Sequence, residues 1–369
     1  MNHNHTPRVW RTKIAYQTRI LFSEVGLDLI NIYVSQRNQQ TVQRLLKTAP
    51  EATNSIRIRT YQKTFRRREA FVGTSIFTDF DLLQTYEIDA AAQIADAVQK
   101  AHPESRVLNH PATICERYLL LRRLNENGLN PVEITRLEDS ITPTRYPVFI
   151  RSEDGCAGPE SDLIRNDEEF FAAKDTLKRL GRTLKRRVAV SFESCQDDDG
   201  YYRKYGAFII GNHIIPQHIL RNQEWNVKSD FSTYDDNFAK EEATYVEENP
   251  HEKRLKQVAT TSGIEFGRID YTMVEGTPVI FEINTNPTFP RFKGGEQARQ
   301  ERRDIILGRL KRAFEEIDQN VTGKEVVPFP FKTIGNYGFI EREHWSRDIP
   351  KSLMKPSAGR RNSRTFYTN

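Results

Sequence analysis

Residues 267–287, GRIDYTMVEGTPVIFEINTNP, are the stretch that decides the fold. Residues 267–274 and 278–283 are rich in β-branched and aromatic residues, and the three residues between them include a glycine. Two such runs, joined by three to five residues with a glycine, are typical of a β-hairpin. The unusual feature of this hairpin is that polar side chains recur at alternating positions in both runs.

The polar residues share one face of the predicted hairpin. A three-residue loop at 275–277 places Asp270 opposite Glu282 and Arg268 opposite Asn284. Side chains opposed across two antiparallel strands point to the same face, with Cβ atoms roughly 5 Å apart. A two-residue loop would shift the register by one residue and separate the two carboxylates, so the pairing depends on the turn.

The two faces of the hairpin predict two environments. The face opposite the carboxylates is apolar and comprises Ile269, Tyr271, Met273, Val279, Phe281 and Ile283. Asp270, Glu282 and Asn284 offer only oxygen ligands, a donor set that Mg²⁺ accepts while substrate phosphates complete its shell. The alternative is a half-exposed hairpin whose polar face meets water, and the spacing of the residues is compatible with both interpretations.

The composition bounds the class of protein. The chain has 369 residues, of which 37% are hydrophobic, 10% aromatic and 28% charged, enough for two or three domains with real cores. No apolar run approaches the roughly 18 residues of a membrane span, and residues 1–6 lack the apolar segment of a secretory signal. Cys115, Cys156 and Cys195 lack CxxC spacing, which predicts a reducing cytoplasm rather than a disulfide scaffold or a structural zinc site.

The net charge of +5 comes from local excesses of basic residues. Arginine and lysine concentrate between residues 57 and 68 and again between 351 and 364. Such runs attract nucleotides, acidic substrates or nucleic acid, and they also occur as solvated surface charge. The aromatic-basic signature of an RNA-binding module is absent from the sequence, so nucleic acid is not the predicted partner.

The pattern of elements predicts an α/β (α+β) protein in three regions. Residues 1–105 form a mixed α/β region with strand-like runs at 27–34 and 70–77. Residues 106–330 combine helices with alternating strands, and residues 331–369 form a basic C-terminal extension.

Two helices of the middle region are predicted from their ends. Pro111 suits the start of a helix within 107–130, for which Gly128 is a C-cap. Asn166, followed three residues later by Glu169, predicts the start of another helix.

A loop of small and polar residues follows the predicted strand 146–150. Gly155 and Gly158 of this loop permit close approach of the backbone to an anion, and Arg151 lies where it could reach a phosphate. The loop lacks the Gly-Lys-Ser/Thr ending of a P-loop, and a flexible surface loop is the alternative.

The strand predicted at 188–193 ends in Glu193. A carboxylate and neighbouring backbone amides are groups that suit a purine base and a ribose. Arg203 and Lys204 open the next strand, where they face either a polyanion or the solvent.

Four motifs, in this order and at about these distances, resemble the ATP-grasp superfamily, in particular the branch of D-alanine–D-alanine ligase and other carboxylate–amine ligases. They are YPVFIRSEDGCAGPES (146–161), VAVSFES (188–194), YRKYGAFIIG (202–211) and GIEFGRIDYTMVEGTPVIFEINTNPT (263–288). The resemblance covers about residues 107–320, and the last motif is its specific part. It implies two α+β subdomains that sandwich ATP, about 106–192 and 193–330, preceded by a preATP-grasp domain at 1–105.

The resemblance also implies roles for individual residues. The implied magnesium ligands are Asp270, Glu282 and Asn284. The implied catalytic cations are Arg268, Arg203 and Lys204. The implied ATP contacts are Arg151, Ser152, Gly155, Gly158, Glu193, Ser194 and Lys204. Arg151 stands where the family usually has lysine. The guanidinium group of arginine is planar and the ammonium group of lysine is compact, so the contact with ATP is expected to have a different geometry here.

The implied reaction depends on magnesium and ATP. A carboxylate attacks the γ-phosphoryl group, and an amine then displaces phosphate from the acylphosphate. A phosphotransferase that stops at the phosphorylated product, and a catalytically silent nucleotide-binding regulator or scaffold, are the alternatives. Retention of the metal ligands and of Arg268 argues against the silent protein.

Fewer residues of the sequence indicate where the substrate and its amine acceptor would bind. Asn286, His218 and Lys228 are candidates to contact the substrate, which the resemblance implies is a small-molecule or peptide carboxylate with an amine acceptor. No membrane partner is predicted, and a homodimer is one of the oligomeric states that the sequence leaves open.

Overall fold

Short apolar strands alternating with helices build a parallel sheet at the start of the described chain. The computed structural model describes residues 30–139, 141–154, 158–194, 196–228, 235–292, 300–318 and 325–330. Its first elements are β1 (Ile30–Val34), α1 (Gln40–Thr48), β2 (Ile56–Thr60), α2 (Tyr61–Arg67), β3 (Glu69–Phe71), β4 (Thr74–Phe77), α3 (Thr85–Ala101) and β5 (Val107–Leu108). The sheet order is β2-β1-β4-β5, and the central strand β1 is buried along its whole length.

The run predicted as one strand at 70–77 is divided between two sheets. Gly73 has a positive φ of 119°, which separates β3 from β4. β3 pairs with β13 (Val326–Pro328), a segment from the far end of the described chain. The predicted single strand was therefore wrong, because a glycine with positive φ redirects the backbone between its two halves.

An antiparallel three-stranded sheet with two helices forms the next part of the chain. Its elements are α4 (Arg117–Glu126), β6 (Ile134–Arg136), β7 (Val148–Ser152), α5 (Asp167–Arg179) and β8 (Arg187–Ser191), with strand order β6-β8-β7. The predicted cap is confirmed, since the side chain of Asn166 accepts a hydrogen bond from the N–H of Glu169 at 2.9 Å. The helix expected to start at Pro111 starts instead at Arg117.

A four-stranded antiparallel sheet carries the hairpin. Its elements are β9 (Tyr202–Ile210), β10 (His213–Asn222), α6 (Asp236–Glu248), α7 (Glu252–Ser262), β11 (Phe266–Val274), β12 (Thr277–Asn284) and α8 (Gln300–Ile317), with strand order β10-β9-β11-β12. The apolar residues of one face of this sheet pack against α6, α7 and α8. The opposite face of the sheet carries the polar side chains of the hairpin.

Asn109 joins the N-terminal sheet to the four-stranded sheet. Its amide nitrogen donates to the carbonyl oxygens of Phe77 and Phe266, at 3.0 and 2.7 Å. Its side-chain oxygen accepts from the N–H groups of Glu265 and Phe266. The residue is fully buried and has a φ of 55°, so the backbone turns here after β5.

The predicted α/β (α+β) class is confirmed by these mixed parallel and antiparallel sheets and their helices. Cys115 is a buried free thiol. Within the described ranges, no helix is long and apolar enough to cross a membrane. The predictions for Gly155, Cys156, Cys195 and the basic extension at 331–369 lie outside the described residues.

Candidate active site

The hairpin formed by β11 and β12 closes with a two-residue turn. Val274 pairs with Thr277, and Glu275 and Gly276 between them have φ values of 49° and 74°. Positive φ at both central residues is the geometry of tight hairpin turns, which glycine favours. The predicted three-residue loop was therefore wrong.

A β-bulge in β12 restores the register that the shorter turn shifts. Asp270 pairs with Glu282 and Arg268 pairs with Asn284, as predicted. The ladder shifts next to Asp270, where Phe281 is the extra residue of β12. The predicted pairs are confirmed, but a bulge rather than the loop length produces them.

The shorter turn and the bulge together move two residues of the predicted apolar face to the polar face. Phe281 lines the cavity beside the hairpin, and Val279 packs against Leu121 of α4 next to that cavity. Ile280 takes a place in the core and is fully buried. The core face keeps Ile269, Tyr271, Met273 and Ile283.

Asp270 is the more buried of the two carboxylates, with 2% of its surface exposed. Arg268 donates to both of its oxygens, from Nε at 2.6 Å and from Nη2 at 3.0 Å, and Lys204 Nζ lies 3.5 Å away. Burial alone would raise the pKa of Asp270, but the charges of Arg268 and Lys204 hold it below its ordinary value. The carboxylate is therefore ionised at neutral pH.

Glu282 receives two guanidinium groups, one from α4 and one from β7. Arg117 Nη2 lies 2.6 Å and Arg151 Nη2 3.0 Å from Oε2. Burial would raise the pKa of Glu282, and the charges of Arg151 and Arg117 lower it. Arg117 was missed from the sequence, because no local pattern relates it to a residue 165 positions away.

Arg203 and Lys204, both predicted as catalytic cations, have different partners. Arg203 contacts the carboxylates of Asp197, Asp199 and Glu241 at 2.8, 2.6 and 2.7 Å. These carboxylates raise the pKa of Arg203 and compensate its charge. Lys204 faces Asp270, so it is the cation of this pair that contacts the hairpin carboxylates.

Asn284 and Asn286 lie at the end of the hairpin that faces the N-terminal sheet. The side-chain oxygen of Asn284 accepts the N–H of Asn286 at 2.8 Å, and the side-chain oxygen of Asn286 accepts the hydroxyl of Thr41 at 2.6 Å. Asn284 lines a small secondary pocket beside Glu282 rather than the main cavity. The structure thus brings Asp270 and Glu282 together, with the oxygen of Asn284 already accepting a backbone hydrogen bond.

The segment after β8 places Ser194 in the cavity wall and directs Glu193 elsewhere. Glu193 accepts the hydroxyl of Ser191 at 2.8 Å and pairs with Arg145 at 3.0 Å. Ser194 and the preceding Phe192 line the cavity. The carboxylate of Glu193 is therefore held by Ser191 and Arg145, while its two neighbours along the chain line the cavity.

The predicted phosphate loop contributes Arg151 and Gly158 to the cavity lining. Gly158 has a φ of 90°, and a Cβ atom there would lie 3.3 Å from Nζ of Lys228. The side chain of Lys228, which also lines the cavity, therefore packs directly on this glycine. The carbonyl oxygen of Ser152 accepts from Arg117 Nη1 at 3.1 Å, which ties the start of the loop to α4.

A cavity of about 830 Å³ lies against the polar face of the hairpin. In its lining, the ring of Trp225 packs against Phe149 and Phe192, with centroid distances of 5.4 and 5.5 Å. The basic residues among its described lining are Arg44, Arg117, Arg151, Arg203, Lys204, Lys228, Arg268, Arg291 and Arg302. The acidic ones are Asp270, Glu282 and Glu242, so the lining is strongly cationic.

His218, a predicted substrate residue, lines the cavity together with Gln217, which the sequence reasoning missed. The ladder between β9 and β10 shifts between Pro216 and His218, so Gln217 is the extra residue of a bulge. A proline inside a strand run is a sequence signal for a bulge. Pro216 was therefore the signal that could have drawn attention to Gln217.

The chain is similar, at low sequence identity, to solved structures of ATP-grasp proteins. Among solved structures, D-alanine–D-alanine ligase from Bacillus anthracis, complexed with ATP, has 10% sequence identity and a TM-score of 0.42, over 78% of this chain and 98% of that chain. A RimK domain ATP-grasp protein from Sphaerobacter thermophilus has 14% identity and a TM-score of 0.44, over 77% and 98%.

The ATP-grasp ligase PsnB, complexed with a precursor variant, Mg and ADP, has 13% identity and a TM-score of 0.46, over 79% and 100%. No protein-family description matches the chain, and no curated protein matches it.

Proposed function

We propose that this protein is an ATP-dependent ligase that activates a carboxylate as an acylphosphate and joins it to an amine. The observation that supports this function is the division of one cavity into an aromatic end and a cationic end. The cavity volume of about 830 Å³ falls in the range of roughly 300–1,000 Å³ that is usual for ligand sites. A nucleotide has the same division, a flat apolar base at one end and a chain of phosphates at the other.

The aromatic end suits the base. Phe149 and Phe192 pack against Trp225, and Val190 extends the apolar wall. Aromatic and apolar surfaces of this kind bury a purine, while backbone groups beside Ser194 supply hydrogen bonds to its edge.

The cationic end suits the phosphates and the developing negative charge. Arg268 and Lys204 converge on Asp270, and Arg117 and Arg151 converge on Glu282. Positive groups fixed where charge develops are the main protein contribution to phosphoryl transfer, which needs no protein nucleophile. These four cations would orient the γ-phosphoryl group and the substrate carboxylate.

The hairpin carboxylates fit magnesium as part of a nucleotide complex. Among the described residues, no three or more Asp, Glu, His or Cys side chains are grouped to hold a metal ion by themselves. Mg²⁺ commonly binds through one or two carboxylates while phosphates and water complete its shell. Asp270 and Glu282, both ionised, would hold the ion, which would supply neutralisation of phosphate charge when bound. Asn284 remains a proposed third ligand, although its oxygen accepts the N–H of Asn286.

The function is tested by incubating the full chain with ATP, Mg²⁺ and a panel of amino acids and small metabolites. We expect ADP and phosphate to appear with an amide product, which mass spectrometry of the mixtures identifies. A stable phosphorylated product without an amide would show a phosphotransferase instead. Tight ATP binding without any product across the panel would contradict the ligase and support a nucleotide-binding regulator.

A further inference from the structure

Alternate residues of β9 mark positions along the cavity. The even-numbered residues from Tyr202 to Phe208 face one side of the sheet, because successive residues of a strand alternate between its faces. Each step of two residues advances roughly 7 Å along the strand. At the start of β9, the ring of Tyr202 packs against Phe192 of the cavity wall, with a centroid distance of 6.2 Å. Phe192 also contacts Trp225, so the aromatic end of the cavity is at the start of β9.

The hairpin carboxylates lie in the cross-strand row of Gly206, in the middle of β9. Gly206 pairs with His218 of β10 on one side and with Asp270 of β11 on the other. Asp270 in turn pairs with Glu282, which completes the row. In the proposed function, a nucleotide extends from the aromatic end to this row, where its phosphates lie. The part of the cavity beside Phe208, one step further along β9, is therefore beyond the phosphates.

The segment after β12 folds back over the sheet beside Phe208. The ring of Phe289 stacks on the ring of Phe208, with a centroid distance of 4.8 Å and an interplanar angle of 15°. Phe289, Pro290 and Arg291 all line the cavity. This stacking holds the backbone two residues before Arg291, whose own side chain is exposed.

Helix α1 brings a second arginine to the same part of the cavity. The hydroxyl of Thr41 donates to the side-chain oxygen of Asn286 at 2.6 Å, which ties α1 to the segment after β12. Arg44 is three residues after Thr41, so the two lie on the same side of the helix, and the exposed side chain of Arg44 lines the cavity. Arg44 and Arg291 thus reach the cavity from two elements that a hydrogen bond joins.

The two arginines differ from most basic residues of the cavity in their partners. The basic lining residues that contact a carboxylate of the protein are Arg117, Arg151, Arg203, Lys204, Arg268 and Arg302. Within the described ranges, no carboxylate contacts Arg44, Arg291 or Lys228. Lys228 packs on Gly158 of the predicted phosphate loop. Arg44 and Arg291 therefore leave two positive charges beyond the phosphates that the described part of the chain does not compensate.

We propose that Arg44 and Arg291 bind a second anionic group of the acid substrate, in addition to the carboxylate that reacts. The substrate class is then an acid with two anionic groups, such as a dicarboxylate, and not a simple monocarboxylate. A guanidinium group presents a planar set of N–H donors that matches the oxygens of a carboxylate or a phosphate. The position of the reacting carboxylate beside the hairpin rests on the proposed function.

Ligand pairs that differ in one charge test the proposal. Isothermal titration calorimetry of the full chain, with Mg²⁺ and a non-hydrolysable ATP analogue, measures the Kd of succinate, glutarate, adipate, pimelate and their monomethyl esters at neutral pH. We expect the diacid that fits best to bind roughly tenfold more tightly than its own ester, because the ester keeps one carboxylate and loses the charge of the other. The phosphonate analogue of that diacid shows which anionic group the two arginines bind more tightly.

Two variants and one matched control assign the effect to these arginines. Arg44→Gln and Arg291→Gln should each weaken binding of the diacid roughly tenfold and leave the affinity for its monomethyl ester unchanged. Both side chains are exposed, so thermal unfolding should not change. Lys47→Gln removes one positive charge from α1 at an exposed position outside the described cavity lining, and it should change neither affinity.

Three results would overturn the proposal. The first is a series of diacids that bind no more tightly than their esters. The second is an equal loss of affinity for diacid and ester in both variants, which would show a general effect of charge. The third is an equal loss of affinity for the ATP analogue, which would assign Arg44 and Arg291 to the nucleotide phosphates.

The outcomes also separate this proposal from the proposed function. Diacid binding with the expected variant effects, but without any amide product from ATP, would contradict the ligase and leave the anion site in place. Amide formation from ATP with equal KM values for diacids and their esters would support the ligase and overturn the anion site.

Discussion

Two bulges in one four-stranded sheet act on the same face with opposite results. The bulge at Phe281 of β12 brings Glu282 opposite Asp270, and both of these carboxylates meet cations. The bulge at Gln217 of β10 brings two polar side chains into the cavity, each with an atom lacking a partner among the described residues.

The difference between the two bulges distinguishes two ways of preparing a site. At Phe281 the charges are paired in advance, so the groups are held in position before a ligand arrives. At Gln217 the side chains are held by packing and not by charge, since the ring of His218 lies against Gly206. The β12 side of the sheet is thus arranged for charge, and the β10 side for close packing of two polar side chains.

The largest effect is expected from removing the charge of a hairpin carboxylate. Asp270→Asn removes the charge that holds Arg268 and Lys204, and we expect magnesium-dependent ADP release to fall by about 10²–10³-fold, as for loss of other electrostatic groups at reacting centres. Glu275→Gln, in the exposed turn of the same hairpin, is the matched control and should keep wild-type turnover. ADP release at the wild-type rate by Asp270→Asn would show that the carboxylate has no part in turnover.

A smaller effect is expected from a substitution at Gly206, which pairs with both His218 and Asp270. Gly206→Ala places a Cβ atom 2.8 Å from the His218 ring and must displace it. We expect kcat/KM for the amine to fall roughly 10- to 100-fold, the usual result of a misplacement near 1 Å, with the Kd for ATP unchanged. Gly308→Ala in α8, where an added Cβ meets open space, is the control. Weakened ATP binding with an unchanged KM for the amine would show that Gly206 affects the ATP contacts and not the amine contacts.

The smallest effect concerns the neutral His218 and acid stability. Its pKa is about 3 in the folded chain and near 6.5 in the unfolded chain, so between these values the unfolded state binds the extra proton. The resulting stabilisation is fully present above pH 6.5 and is lost as the pH falls toward 3. In urea unfolding, His218→Leu should flatten the loss of unfolding free energy between pH 6.5 and 4 by about 1 kcal/mol per pH unit. Identical slopes in wild type and His218→Leu would indicate a solvated, ordinary histidine.

Several local elements of the fold were predictable from the sequence. Asn166 caps α5 as expected, because capping depends on a side chain and a backbone N–H three residues apart. The pairing of Asp270 with Glu282 was also predicted, although from a loop length that the structure corrects. The predicted loop was one residue too long and the bulge was not predicted, and these two errors cancelled each other.

The contacts that complete the site were not predictable from local patterns. Arg117 and Arg151 reach Glu282 from 165 and 131 residues away, and sequence periodicity carries no information about such pairs. Arg203 was expected to act as a catalytic cation beside Lys204, yet three carboxylates compensate its charge. Which cation meets which carboxylate depends on how α4 and β7 pack against the hairpin.

The sequence by itself determined the hairpin, its alternation of polar and apolar positions, and the set of oxygen and cationic side chains near it. These properties follow from neighbours a few residues apart, which hydrophobic period and turn chemistry govern. Tertiary structure alone decided the two bulges, the row from Glu282 to His218 and the unpaired acceptors of Gln217 and His218. These depend on the register of four strands packed against three helices, and that register minimises the free energy of the whole sheet rather than of any one segment.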